Sequence, residues 1–341
     1  MKHPIDFVVT WLDSSDPEWQ RQYNEYKGVS PRGDSSVARF RDWDLFKYWF
    51  RAVETNAPWV NRVFLITNGT VPKWIRRDHP RLVLVNHEDY IPSQFLPTFN
   101  SCTIELHINK IKQLSEHFVY FNDDCYINNP VTPEYYFVDG LPCDNNAETI
   151  FNTTKYNPLD RFFIRISMFV DICVLNRHFN RNEVWRQSKR RWLGKHLSNM
   201  SRLASLLLIF NKWNLFVGFN WKHVEQPFLK SVMDEAWEKE PEMLNESCTR
   251  FRREVTLNPY FFRYWQFATN RFYPVKLNHV AKYRTIRKDV GHICRALKNK
   301  KILSLCINDT PRCTEEEYED VKKELIKAFK EKYPNKSSFE L

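Results

Sequence analysis

A chain of 341 residues with 43% hydrophobic, 16% aromatic and 27% charged residues can bury a sizeable core, and these proportions exclude a disordered or fibrous protein. Seven glycines leave no material for a Gly-rich linker, and eight cysteines without one CxxC pair indicate neither a zinc site nor a disulfide framework. The formal net charge of +10 points to a polyanionic partner: nucleic acid, anionic lipid or phosphorylated substrates.

Met1-Lys2-His3-Pro4 passes directly into Ile5-Asp6-Phe7-Val8-Val9 with no basic segment followed by a long apolar run, so no signal peptide is expected. The densest apolar stretch, Leu203 to Phe210, is far short of the roughly 20 residues that span a bilayer. The expectation is a cytoplasmic protein with reduced thiols.

In chain order, Ile5–Trp11 reads as a strand, Arg41–Thr55 as a helix and Arg62–Thr67 as a second strand, which together make a βαβ unit. Arg81–Val85 reads as a third strand, Ser101–His117 as a helix, and Phe118-Val119-Tyr120-Phe121 as a strand ending at Asn122-Asp123-Asp124. This alternation predicts an α/β fold: a mostly parallel, Rossmann-like sheet with flanking helices. Ligands bind at the carboxyl ends of such strands, where Asp13, Asn68-Gly69 and Asp123-Asp124 would stand. Each of these groups could also be an ordinary turn. Two adjacent carboxylates repel unless a cation lies between them, and Mg²⁺ or Mn²⁺ shared with substrate phosphates is the usual solution.

Residues 1–138 would therefore form a βα half that carries the candidate metal site, and 139–220 a partly helical insertion. The basic stretch Arg181–Arg202 before Leu203-Ala204-Ser205-Leu206-Leu207-Leu208-Ile209-Phe210 suits either a helix packed into the core or one lying on anionic lipid. Residues 221–312 would complete the core. Residues 313–341 open on the capping box Thr314-Glu315-Glu316-Glu317, with Tyr318, Val321, Leu325 and Phe329 at helical spacing, and Pro334–Leu341 is expected to fray.

Four separated blocks resemble the Stealth family of sugar-phosphate transferases, which includes bacterial capsule polymerases and the lysosomal-enzyme phosphotransferase of animals. The first is Ile5 to Trp19, close to a strand followed by Thr-Trp-Val-Asp-Gly-x-Asp-Pro, with Leu12 and Ser14 replacing Val and Gly. The second runs from Arg39-Phe40-Arg41-Asp42 through Pro58-Trp59-Val60, Thr67-Asn68-Gly69, Leu96 to Ser101 and Ile104-Glu105 to Asn122-Asp123-Asp124. The third spans His223 to Arg252, where Glu225 stands in place of a frequent proline, and the fourth is Cys306-Ile307-Asn308-Asp309-Thr310.

The resemblance implies transfer of a hexose 1-phosphate from a nucleotide sugar, a UDP-sugar before others, to a sugar hydroxyl of a cell-surface polysaccharide. Asp123, Asp124 and Asp309 would hold the metal. Glu105, Asp124, His223 and Arg252 would carry catalysis, with His223 as general base and Glu105 as a second base or acceptor-orienting group. Thr10, Asp13, Arg39, Arg41, Asn68, Asn100, Arg250 and Asn308 would bind substrate, and Arg252 offers a planar fork to phosphate. Arg39 and Arg41 could instead pair with Asp42 and Asp44. The expected partners are the donor and a lipid-linked oligosaccharide acceptor at the inner membrane face, with no nucleic acid. Other readings are a metal-dependent glycosyltransferase using the same donor, or a basic nucleic-acid or membrane-binding module.

Overall fold

The computed structural model describes residues 3–27, 41–149, 159–210, 212–220, 223–253, 255–277, 280–310 and 312–341. Its strands are β1 (Ile5–Thr10), β2 (Val63–Thr67), β3 (Leu82–Asn86), β4 (His117–Phe121), β5 (Cys125–Ile127), β6 (Phe137–Val138), β7 (Leu141–Asp144), β8 (Gln226–Leu229), β9 (Tyr273–Pro274), β10 (Ala281–Thr285) and β11 (Ser304–Asn308). The central sheet runs β3-β2-β1-β4-β8, parallel throughout except for β8, which lies antiparallel to β4. Strands β1, β2 and β4 are apolar on both faces apart from Asp6, Thr10, Thr67 and His117, as expected where helices cover a parallel sheet.

The helix Phe46–Asn56 closes the first crossover. Trp49 and Phe50 are fully buried, and the Trp49 ring meets Phe121 of β4 edge-on at 5.3 Å. The sequence predicts helix from Arg41, but Asp44 sits at φ +59°, so no helical turn can pass through it and the helix begins two residues later. The helix expected over Ser101–His117 stops at Leu106, followed by a 3-10 turn over Ile108–Lys110. His107 Nδ1 lies 2.9 Å from Thr103 O, the buried Asn109 amide donates to Asp234 at 2.7 Å, and these side-chain bonds hold the chain in a tighter path towards β4.

Two features organise the rest. A smaller sheet, β10-β11-β5, lies just beyond β4; β11 runs antiparallel to β5 with Cys306 opposite Cys125. The 139–220 region is tied into the body by the buried ion pair of Asp144 with Arg263 at 2.6 Å and is braced within itself by the buried pair of Arg181 with Glu148 at 2.6 Å. Its long helix Leu159–His178 packs on the helix Tyr260–Ala268.

Pro334–Leu341 does not fray. Phe339 is fully buried beside Phe50, and Glu340 forms a two-pronged buried ion pair with Arg51 at 2.8 and 2.7 Å. Burial of an aromatic ring and of a paired charge in this tail outweighs the entropy that normally frees a terminus.

Candidate active site

The chain turns at Asn122-Asp123-Asp124 between β4 and β5, and the side chains there are joined to three other parts of the sequence. Thr10 at the end of β1 lies 3.2 Å from the Tyr120 hydroxyl, which donates to Asn122 Oδ1 at 2.9 Å. The Asn122 amide reaches His223 Nε2 at 3.3 Å, and the same ring nitrogen is 3.8 Å from Asp124 Oδ2. Asn308, at the end of β11, donates to Asp124 Oδ2 at 3.2 Å and accepts from the Tyr283 hydroxyl at 2.8 Å. Backbone pairing fixes this junction, because Ile307 N donates to Asp124 O at 2.9 Å. Thr10, Tyr120, Asn122, Asp124, His223, Tyr283 and Asn308 thus form one connected polar wall.

The wall borders a cavity of about 460 Å³. Its floor includes Asp123 and Asp124, and Glu105, Ser101 and Arg252 also face it, with the aromatic rings of Trp11, Phe99 and Tyr260. The Arg252 guanidinium donates to Ser101 Oγ at 2.5 Å, and its Nε–H, like that of Arg250, is buried with no acceptor among the described residues.

Asp123 is exposed on the cavity lining, yet protein atoms crowd its carboxyl, and this desolvation, reinforced by the adjacent Asp124 charge, pushes it up to about 7. Asp124 is held from behind by thiols: Cys125 Sγ lies 3.4 Å from its Oδ1 and Cys306 Sγ 3.3 Å from its Oδ2. Asp124, Cys125 and Cys306 are grouped closely enough to hold a metal ion. Burial, however, pushes Cys125 up to about 12 and Cys306 well above its ordinary value, so both thiols keep their protons and serve as donors to the carboxylate. The cavity-lining atoms of the acidic pair available to a cation are carboxylate oxygens. This hard-oxygen set fits Mg²⁺ or Mn²⁺.

The structure brings Thr10, Glu105, Asp123, Asp124, His223, Arg252 and Asn308 to the cavity. It places the other expected residues elsewhere. Asn100 is buried as the N-cap of the helix Ser101–Leu106, its Oδ1 accepting from Cys102 N at 3.1 Å and its amide 3.4 Å from Thr249 Oγ1; no polar atom is left over for substrate. Arg250 turns away from the cavity, donating to Leu96 O at 3.0 Å over the Tyr26 ring, because the irregular chain at 248–253 does not repeat direction every second residue. Asp13 accepts from Ser15 N at 2.9 Å in a local turn. Asn68 follows β2 with its Oδ1 buried and without a partner among the described residues, outside the cavity lining.

Arg41 lines a smaller neighbouring cavity of about 120 Å³ that shares Asp123 and Asp124. It pairs with neither Asp42 nor Asp44. Its Nε donates to Glu315 at 3.0 Å, its Nη1 to Cys313 O at 2.9 Å, and Asp309 lies 3.6 Å away. Asp309 therefore faces Arg41, and burial pushes it up to about 6 although the arginine opposes the shift. Arg39 lies outside the described residues.

Several cavity residues escaped sequence reasoning. Tyr283 and Arg253 carry no local motif, and the two cysteines behind Asp124 are far apart in sequence and meet only because β5 pairs with β11. Asn122 was readable as part of the aspartate motif, but its bond to His223 was not. Glu225, in place of the proline, is buried and bonded to Tyr136 OH at 3.2 Å and to the Ser304 hydroxyl; burial pushes its carboxyl up to about 7.

The family description "Stealth protein CR2, conserved region 2" matches residues 39–143, the stretch that contains Glu105 and the aspartate pair. A capsular polysaccharide phosphotransferase of Streptococcus pneumoniae is 37% identical over 350 residues, covering 98% of each chain. A receptor polysaccharide phosphotransferase of Streptococcus oralis is 36% identical over 344 residues, covering 99% of each chain. Among solved structures, the galactosyltransferase LgtC with donor and acceptor sugar analogues superposes at a TM-score of 0.37 with 9% identity, over 94% of this chain and 95% of that one. With relatives this similar from end to end, the chain belongs to the Stealth family of polysaccharide phosphotransferases and is a transferase of phosphorus-containing groups.

Proposed function

We propose that the cavity binds a nucleotide sugar, a UDP-sugar before others, and passes its hexose 1-phosphate to a hydroxyl of a lipid-linked oligosaccharide on the cytoplasmic side of the membrane. The observation that carries this reading is the meeting of an acidic pair, a histidine and an arginine on the lining of one cavity. Phosphoryl transfer needs charge neutralised, a nucleophile positioned and a leaving group stabilised, with little covalent work by the protein.

Asp123 and Asp124 would hold Mg²⁺ or Mn²⁺, which when bound offsets negative charge on the donor diphosphate. The His223 imidazole takes the proton of the acceptor hydroxyl as its oxygen forms a bond to the phosphorus nearest the sugar. The bond from that phosphorus to the oxygen bridging the two phosphates breaks, and the nucleoside monophosphate leaves with the electron pair. Asn122 orients the imidazole, Arg252 binds a non-bridging phosphate oxygen through its guanidinium, and Glu105 orients the acceptor. The sugar C–O bond is untouched, so the donor's anomeric configuration passes into the product.

Incubation of the purified protein with Mg²⁺, a UDP-sugar and an oligosaccharide acceptor should release UMP and give a phosphodiester resonance in the phosphorus NMR spectrum of the product. Release of UDP with no diester resonance would make the enzyme a glycosyltransferase. Asp124→Asn should lower turnover by on the order of 10³-fold, with the near-UV circular dichroism spectrum unchanged.

A further inference from the structure

The helix Asn199–Phe210 is amphipathic in the reverse sense. Met200, Leu203, Leu207 and Phe210 are 74%, 52%, 53% and 77% exposed, whereas the buried side chain of this helix is Ser205. At helical spacing the four exposed side chains fall within one arc of about 80°, opposite Ser205. The opposite side is fastened by polar bonds: the Ser205 hydroxyl donates to Glu148 at 3.1 Å, and Arg181 donates to Ser205 O at 3.4 Å. Trp213 and Leu215, just after the helix, are 47% and 43% exposed. A contiguous apolar face of this size on a soluble protein marks a contact surface.

Charge indicates what covers it. From Arg181 to Leu215 the sequence contains one carboxylate, Glu183, while Arg186, Lys189, Arg190, Lys195 and Lys212 are all exposed. A second copy of this chain would bring the same positive charge against itself. An anionic bilayer would attract the cations, take up the leucines and phenylalanine, and place Trp213 at headgroup depth. Among the described residues no helix is long and apolar enough to cross a membrane. We propose that the Asn199–Leu215 face docks on the surface of an anionic phospholipid bilayer, with the helix lying in the plane of the interface.

The full chain should float with vesicles of phosphatidylglycerol and phosphatidylcholine and remain unbound with phosphatidylcholine alone. The triple substitution Leu203→Ser, Leu207→Ser, Phe210→Ser should lower the partition coefficient by on the order of 100-fold with the melting temperature unchanged, since all three side chains are exposed. Hydrogen exchange of the unaltered protein gives an independent reading, with amides of 199–215 gaining protection when anionic vesicles are added. Failure of the unaltered protein to float, flotation undiminished by the triple substitution, or exchange unaffected by vesicles would each overturn the proposal. So would light scattering that shows a lipid-free dimer dissociated by the triple substitution, which would assign the face to a second copy.

Discussion

Asp123 and Glu225 are both acids whose charged form the protein disfavours, for different ends. Asp123, pushed up to about 7, must lose its proton before it can hold a cation. Metal binding therefore releases a proton as pH falls through about 7, and affinity for Mg²⁺ or Mn²⁺ should weaken about tenfold per pH unit below that point. Titration calorimetry in buffers of different ionisation enthalpy at pH 6 and 8 would check this; a dissociation constant independent of pH would count against Asp123 as a ligand. Glu225 has no cation to receive. Its folded value of about 7 lies above the unfolded value of about 4.5, so folding favours the protonated form. Stability is full below about 4.5 and falls by roughly 1.4 kcal/mol per pH unit as pH rises towards 7. Glu225→Gln keeps an acceptor for Tyr136 and removes that slope. Chemical denaturation at pH 5 and 8 should show the variant gaining on the parent at the higher pH; parallel profiles would show that the carboxyl ionises freely where it sits.

At the scale of elements, strand positions were legible because an apolar run that must be buried on both faces has few other homes, and β1, β2, β3 and β4 fall within a residue or so of expectation. Helix ends were less legible. They were set by Asp44 in a left-handed conformation, by the His107 ring bonding back to Thr103 O, and by the Asn109 bond to Asp234 far along the chain. The 248–253 connection is the instructive case. Sequence offers Arg250 and Arg252 as near equals, and only the irregular backbone sends one into the cavity and the other to Leu96 O and Tyr26. Arg252→Ala should lower turnover by on the order of 10²-fold or more with stability little changed. Arg250→Ala should cost about 1–2 kcal/mol of stability through its lost carbonyl bond and ring contact, leaving turnover per folded molecule nearly intact. Steady-state kinetics and denaturation of both variants would separate the roles, and equal kinetic losses would place Arg250 in the site after all.

Across the whole molecule, the wall around Asp124 draws on residues nearly 300 positions apart, and what brings them together is sheet pairing. Local periodicity could find each strand but not the register that sets Cys306 opposite Cys125, nor the antiparallel β8 that follows His223. The C-terminal tail shows the same gap between local pattern and tertiary outcome. By sequence it is short, polar and preceded by proline; in the fold, Leu341 N donates to Trp74 O at 2.9 Å, Arg76 N donates to Phe339 O at 2.8 Å, and Glu340 neutralises Arg51 inside the protein. Removing one partner of a buried ion pair leaves the other charge uncompensated, at a cost of about 3–5 kcal/mol, whereas replacing both by apolar groups can be close to neutral. Glu340→Leu alone should therefore lower unfolding free energy by about that amount, and adding Arg51→Leu should restore much of it. Deleting residues 334–341 strips Phe339 as well, a further loss of about 3–5 kcal/mol, and the sum approaches the whole stability of an ordinary domain. The truncated chain should fail to accumulate in soluble form, while urea denaturation of the single and double variants measures the coupling. A truncation as stable as the full chain, or a double variant no better than Glu340→Leu, would mean that the tail lies on the fold without supporting it.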